Sequence, residues 1–177
     1  IFLFCCIATV VAAQSTIRPV ADTTRLIQIL KGNSMREKIV DTISFQTIAG
    51  DVALRESLTL FYCDSAAINK TTNIMEAFGN IHINQQDSIH TYAQYLKYIG
   101  KERIAYLKKN VRLTDKKGTL FTDELEYDLK TNIGNYKNGG RVVNGKTVLT
   151  SDEGTYYGDT KDVYFKKNVH LADPKYN

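Results

Sequence analysis

The sequence predicts an all-β fold, a stacked antiparallel roll built from copies of a unit of 29 to 30 residues. The composition is one indication, because 11 Tyr and 7 Phe, together with frequent Thr, Val and Ile, favour strands. A second is the alternation of apolar and polar residues in short runs, with no sustained helical period. The third is the repeat itself, in which several columns of residues keep one spacing.

Overall composition restricts the class of protein. A chain of 177 residues suits one domain or a segment of a repeat array. With 43% hydrophobic and 24% charged residues it is typical of a folded, soluble protein and unlike collagen or a disordered chain. The net charge of +4 is small and the basic residues are scattered, so nucleic acid is not expected as a partner.

The first 13 residues are interpreted as a secretory signal that lacks its Met and basic leader. They are uncharged and too few to span a bilayer, and Val11-Ala12-Ala13 offers small residues for cleavage. The division predicted is a signal peptide over 1–13, a linker over 14–24 and a β domain over 25–177, continuing past the end of this sequence. An uncleaved inner-membrane anchor stays open as the alternative. After cleavage only Cys63 remains, and it is interpreted as a small buried hydrophobe.

The repeat is visible in three columns of residues that share offsets of 30, 29 and 29. Chance agreement of three columns is improbable, so the spacing indicates stacked structural copies. A more divergent copy lies upstream at 51–54, and residues 26–30 resemble a strand of a still earlier one. The columns are Ile68, Tyr98, Tyr127 and Tyr156; Asn80, Asn110, Gly139 and Asn168; and Ile83, Leu113, Val142 and Leu171.

Each copy is predicted to contain short strands joined by tight turns. Runs such as 81–83, 111–113 and 169–171 alternate apolar and polar residues, as half-buried strands do. Further turns are predicted at 115–118 and 128–132. Because Asn and Gly tolerate positive φ, hairpin turns are predicted at Gly79-Asn80, Lys109-Asn110, Gly139-Gly140 and Lys167-Asn168.

Stacked copies would bury one apolar face, which gives either a filled core or, if it is slightly open, a hydrophobic groove. Both possibilities stay open at this point. The residues predicted to line this interior are Val52, Leu54, Ile81, Ile83, Val111, Leu113, Val142, Val169 and Leu171.

Four segments, at 61–66, 76–81, 127–131 and 138–143, resemble the OstA-like (organic solvent tolerance) domain in its Bacteroidetes-type variant, over about residues 25–177. This family is related to the periplasmic lipopolysaccharide-transport proteins LptA, LptC and the N-terminal domain of LptD. The resemblance implies a V-shaped β-jellyroll, whose interior holds lipopolysaccharide acyl chains and whose edges pair with other such domains, self-association included. It also implies a periplasmic protein, in contact with the outer membrane, with no cofactor and no catalytic residues.

A column of basic side chains lies on the face opposite the apolar positions: His82, Arg112, Arg141 and His170. It is interpreted as an ordinary solvated face, with contact to the phosphates or acidic sugars of a lipid headgroup as the alternative. The two His are three copies apart, so no metal site is expected. The columns Asp64/Asp123/Asp152 and Tyr98/Tyr127/Tyr156 are interpreted as structural.

Two functions remain from the sequence. One is a non-enzymatic lipopolysaccharide carrier or bridge for outer-membrane assembly. The other is a structural or adhesive repeat protein with a filled core and no lipid ligand. An enzyme is not expected, because no nucleophile, base and orienting group occur together.

Overall fold

A computed structural model describes residues 26–175. The predicted signal peptide (1–13) and linker (14–24) therefore lie outside the described residues. Within them the chain forms 14 strands and no helix, and all strands belong to one antiparallel sheet, which confirms the all-β prediction. The strands are β1 (Gln28–Lys31), β2 (Ser34–Val40), β3 (Ile43–Glu56), β4 (Thr59–Asn69), β5 (Ile74–Gln85), β6 (Ile89–Ile99), β7 (Ile104–Thr114), β8 (Thr119–Asp128), β9 (Ile133–Tyr136), β10 (Gly140–Asn144), β11 (Thr147–Ser151), β12 (Glu153–Tyr157), β13 (Asp162–Lys166) and β14 (His170–Ala172).

The sheet is folded into two walls. Wall A has the order β1-β3-β4-β5-β6-β7-β8-β10-β11-β14. In wall B, β2 replaces β1 beside β3, and β9, β12 and β13 continue from β8. Each of the strands β3 to β8 runs through both walls. The first and last copies instead form shorter strands, each of which lies in a single wall. Residues 26–175 thus form an open roll. The chain crosses between the walls at a corner, and within these residues the first and last strands are edge strands.

The hairpin turns predicted at Gly79-Asn80 and Lys109-Asn110 are wrong, because both pairs lie in the middle of a single long strand, β5 or β7. All four residues do have positive φ, between 44° and 72°. The pairing register shifts across each pair, so the left-handed residues form a β-bulge that bends the strand at the corner.

The two later predicted turns are corner crossings as well. Gly139-Gly140 joins β9 to β10, and Lys167-Asn168 joins β13 to β14. In each case the two strands lie in different walls and are not paired with each other.

The aspartate column has a structural position at this corner. The Asn80 side-chain amide donates to Asp64, with the nearest oxygen at 3.0 Å, and the Asn168 amide donates to Asp152 at 2.7 Å. Asp123 lies opposite the bulge of Lys109 and Asn110, between the paired residues Thr122 and Glu124. These positions agree with the structural interpretation.

The hairpins turn at the outer ends of the walls. Turns at 115–118 and 129–132 confirm two predicted positions. In the first, Asp115 Oδ1 accepts from the backbone N–H groups of Lys117 and Gly118 at 2.6 and 3.0 Å. In the second, Asp128 Oδ1 accepts from the Lys130 N–H at 2.7 Å. Asp is favoured at these turn positions because its carboxylate accepts hydrogen bonds from nearby backbone N–H groups.

We expect Gly79→Ala to lower the free energy of unfolding by about 1–3 kcal/mol. The alanine would have to adopt an unfavourable positive φ, and its Cβ would collide with the Asp64 side chain. Gly79 has φ 72°, and an added Cβ would lie 2.2 Å from an Asp64 carboxylate oxygen. Gly139→Ala is a matched control, since its φ is 86° but no atom lies within 4 Å of an added Cβ. Urea unfolding of both variants would test this, and equal losses would contradict the role of the Asp64 contact.

The interior is packed along most of the roll. Six of the predicted lining residues are at most 4% exposed: Val52, Leu54, Ile81, Ile83, Val111 and Leu113. Val142 is half-buried and packs against this core. Val169 and Leu171, by contrast, are 48% and 56% exposed, so they lie outside the packed core. Leu171 continues the inward row by its pairing with Leu149, but among residues 26–175 no strand beyond β14 covers it.

Candidate functional site

The interior opens into a cavity at its C-terminal end, with a volume of about 390 Å³. It lies between β8, β10 and β11 of wall A and β12 and β13 of wall B. The apolar lining is Leu113, Leu120, Val142, Leu149, Val163 and Phe165. The polar lining includes Asp115, Lys117, Lys161 and Asp162, which belong to or adjoin the turn ends of the two walls. We call the line where these turn ends meet the mouth of the roll.

Side chains bridge the mouth beside this cavity. The Lys117 ammonium, on a turn of wall A, donates a hydrogen bond to the Thr160 carbonyl oxygen of wall B at 2.9 Å. The same nitrogen lies 3.8 Å from an Asp162 carboxylate oxygen, in an exposed ion pair. Exposed ion pairs contribute little to stability. This bridge is therefore a weak link between the two walls.

Three buried tyrosines form a regular set of links at the mouth, which we call the clasps. Each tyrosine lies in wall B. Its side chain reaches a residue of wall A that is 41 or 42 positions earlier in the chain, at the end of a strand or in a turn. The Tyr127 hydroxyl donates to Gln85 Oε1 at 3.2 Å, and the Tyr156 hydroxyl donates to Asp115 Oδ2 at 2.6 Å. The interpretation of these tyrosines as structural packing agrees with this geometry, although they pack inward and between walls.

The first clasp is built on Tyr98 and the fully buried Glu56. Arg103 Nε lies 3.6 Å from Glu56 Oε2. Burial, and after it the neighbouring Glu56 carboxylate, raises the pKa of Tyr98. Burial is also the main cause that raises the pKa values of Tyr127 and Tyr156. All three hydroxyls therefore stay protonated at neutral pH and can act as donors.

The partner column of the clasps was missed from the sequence. Glu56, Gln85 and Asp115 follow offsets of 29 and 30, which match the repeat. The spacing alone could have revealed them. Their residue types differ, however, so the column has no common chemical identity, and only the hydrogen-bonding capacity of the side chain recurs.

Cys63 is buried beside the corner, with 6% of its surface exposed. Burial raises the pKa of its thiol to about 11, so the thiolate is scarce at neutral pH. This environment agrees with the interpretation of Cys63 as a small hydrophobe.

The predicted basic column lies on the outer face of wall A, in a row of paired residues that crosses the sheet. His82 and His170 are separated by six strand-to-strand steps in this row, or about 29 Å. No group of three or more candidate metal ligands occurs within residues 26–175. In order, the row contains Tyr62, His82, Tyr92, Arg112, Phe121, Arg141, Thr150 and His170.

The side chains of this row stack on one another. The His82 and Tyr92 rings are nearly parallel with centres 4.5 Å apart, and the Arg112 guanidinium carbon lies 4.2 Å from the Tyr92 ring centre. Burial, His90 and Arg112 together lower the pKa of His82, so its imidazole is neutral at pH 7. The cationic part of the column near its centre is therefore Arg112 and Arg141.

Comparison with known proteins gives a family. A model of the family described as OstA-like protein matches residues 24–177. The chain belongs to this family.

One similar solved structure is LptH from Pseudomonas aeruginosa, described as the LptA-homologous periplasmic component of a lipopolysaccharide transport device. It is 10% identical, the alignment covers 83% of this chain and 94% of LptH, and the TM-score is 0.38. No curated protein matches the chain. Within residues 26–175, no helix has the length and apolar character needed to cross a membrane.

Proposed function

We propose that this OstA-like protein is a periplasmic lipopolysaccharide-binding component of a transport bridge, which shields acyl chains in its apolar interior. The observation that carries the proposal is the cavity of about 390 Å³ into which the packed interior opens. Its apolar lining suits an acyl chain, and the ammonium groups of Lys117 and Lys161 on its polar side suit the phosphates of the headgroup. Membership of the family supports the same reading.

No covalent step is needed for this function. Each methylene that leaves water for an apolar interior gains about 0.8 kcal/mol, so several methylenes supply substantial binding energy. The packed copies, from β3 to β8, offer no comparable space because their inward side chains are almost fully buried. An acyl chain would therefore occupy the C-terminal cavity, which it enters as the walls separate at the mouth.

Edge-to-edge stacking with domains of the same fold, including other copies of this chain, completes the proposed bridge. At the first edge of the part that the structure describes, β2 pairs with β3 alone, and its side chains are exposed along its whole length, including Met35 and Ile39. At the last edge, β13 and β14 leave Tyr164 and Leu171 exposed. Unpaired edge strands with apolar side chains are suited to strand addition by a partner.

A photo-crosslinking experiment in cells would test the lipid site. A photoreactive phenylalanine analogue is placed at Phe165, which lines the cavity, or at its neighbour Tyr164, which is 57% exposed on the outer face. Both natural residues are aromatic, so the substitutions are closely matched. We expect lipopolysaccharide adducts at position 165 and none at position 164, because successive strand residues face opposite sides.

A structural or adhesive repeat protein is the second candidate, and the filled interior of the middle copies favours it. The same experiment separates the two functions. A folded protein with no lipopolysaccharide adduct at position 165 would contradict the carrier and favour the filled repeat.

A further inference from the structure

Two arginines on the outer face of wall A are held in place by aromatic rings. The Arg112 guanidinium carbon lies 4.2 Å from the Tyr92 ring centre, and that of Arg141 lies 4.7 Å from the Phe121 ring centre. The two arginines are two strands apart, which corresponds to about 10 Å in a sheet. Stacking fixes the plane of a guanidinium and leaves its N–H edge available for an oxyanion.

Neither arginine uses this capacity within the described part of the chain. Across residues 26–175, no carboxylate oxygen lies within 4.0 Å of either guanidinium. Lys108 and Lys167 differ from the two arginines in this respect, because the ammonium nitrogen of each lies within 3 Å of a glutamate carboxylate oxygen. The fold therefore already holds both guanidinium groups in place. A ligand that binds them does not have to offset the loss of side-chain conformational entropy.

The arginines line an open groove of about 690 Å³ on the side of wall A away from the acyl cavity. The side-chain amides of Asn110 and Asn138 lie in the same groove. Asn138 donates one N–H to Glu124 Oε2 at 3.1 Å, which leaves its carbonyl oxygen and second N–H for a ligand. Asp123 also lines it, and its carboxylate disfavours an anion nearby. An anionic ligand is therefore expected to bind toward the arginines, with its neutral hydroxyls near the amides.

We propose that this groove binds the phosphorylated saccharide part of a lipopolysaccharide, at a site separate from the acyl cavity. Planar cations recognise phosphate oxygens in a bidentate manner, and amides recognise sugar hydroxyls. The rings that line the groove, those of Tyr92 and Phe121, already stack with the two arginines, and Val111 is almost fully buried. Little apolar surface is therefore left for the side chains of a peptide. The identity of the ligand rests on the proposed function, whereas the preference for an anionic saccharide rests on the groove itself.

Deacylated lipopolysaccharide is the probe for this site, because it carries the phosphates and sugars but no chain for the cavity. Any contact of its phosphates with Lys117 or Lys161 is the same in the wild-type protein and in both variants below, so it does not affect their comparison. Calorimetric titration would compare the wild-type protein with the double variant Arg112→Gln, Arg141→Gln. The control is Arg36→Gln, Lys166→Gln, which removes the same charge from exposed positions of wall B, where Lys166 also lies over an aromatic ring, that of Tyr164. We expect binding to weaken at least about tenfold in the first variant, and far less in the control.

Each other outcome would overturn the proposal. Equal weakening in both variants would mean general attraction to a basic protein. Stronger binding of an acidic glutamate-rich peptide than of the saccharide would assign the groove to a peptide. If the saccharide did not bind but lipid adducts formed at position 165, the proposal of the outer site would be contradicted and the proposed function would still stand. Circular dichroism would check that both variants are folded.

Discussion

Replacement of Leu96 by Asp should destabilise the protein by about 4 kcal/mol or more, the largest effect expected from a single substitution here. Leu96 is fully buried in the wall B half of β6, in the middle of the stack. A carboxylate at this position would lose its hydration without gaining a partner, or would have to stay protonated. Urea unfolding followed by circular dichroism would show the midpoint falling sharply, or no folded protein at all.

The adjacent residue supplies the control. Lys97 is half-buried on the outer face of the same strand, where it pairs across the sheet with Glu76 and Tyr106. Lys97→Asp introduces the same carboxylate, opposite an existing one, and should cost no more than about 1 kcal/mol. If the two variants lost similar stability, the assignment of inner and outer faces would be incorrect.

The division between faces was predictable because it depends on local alternation and on a long-range spacing. Ile83 and Leu113 were related by the repeat, and the structure places both in one inward row, joined through Thr91. A constant offset between copies requires a constant register between their strands, so a row of residues can be inferred without knowledge of the sheet.

The difference between a corner and a hairpin was not predictable from these residues. Asn80 and Asn110 adopt positive φ in the structure, as their residue types suggested. Positive φ is required both in tight hairpins and in β-bulges, however, and the two differ only in which strands pair on each side. Pairing is a property of the whole sheet, which a local turn signal does not report.

The cavity illustrates a second limit. Val142 and Leu171 occupy the same repeat column as Ile83, yet they are half-buried and exposed, respectively, while Ile83 is buried. The column predicts only the direction of the side chain. Its burial depends on how many strands lie beyond it, and this number falls toward the edge at β14.

Closing the mouth by a covalent link should strongly reduce lipid entry into the C-terminal cavity. A short bis-maleimide would join Lys117→Cys on wall A to Lys161→Cys on wall B, since Lys117 already reaches the carbonyl of Thr160. If acyl chains enter as the walls separate at the mouth, the cross-linked protein should yield at least about tenfold fewer lipopolysaccharide adducts at position 165. This factor corresponds to about 1.4 kcal/mol, well below the energy of burying several methylenes.

The control keeps the same chemistry but joins residues within one wall. Lys146 lies in the next wall A turn, between β10 and β11, so a link from Lys117→Cys to Lys146→Cys leaves the mouth free to open. Cys63 should not interfere, because burial raises its thiol pKa to about 11 and limits its reaction. Equal adduct yields from the two cross-linked proteins would mean that acyl chains reach the cavity through its open end without separation of the walls. A loss in both would indicate that the modification of Lys117 itself blocks the site, and would assign the headgroup contact to that side chain.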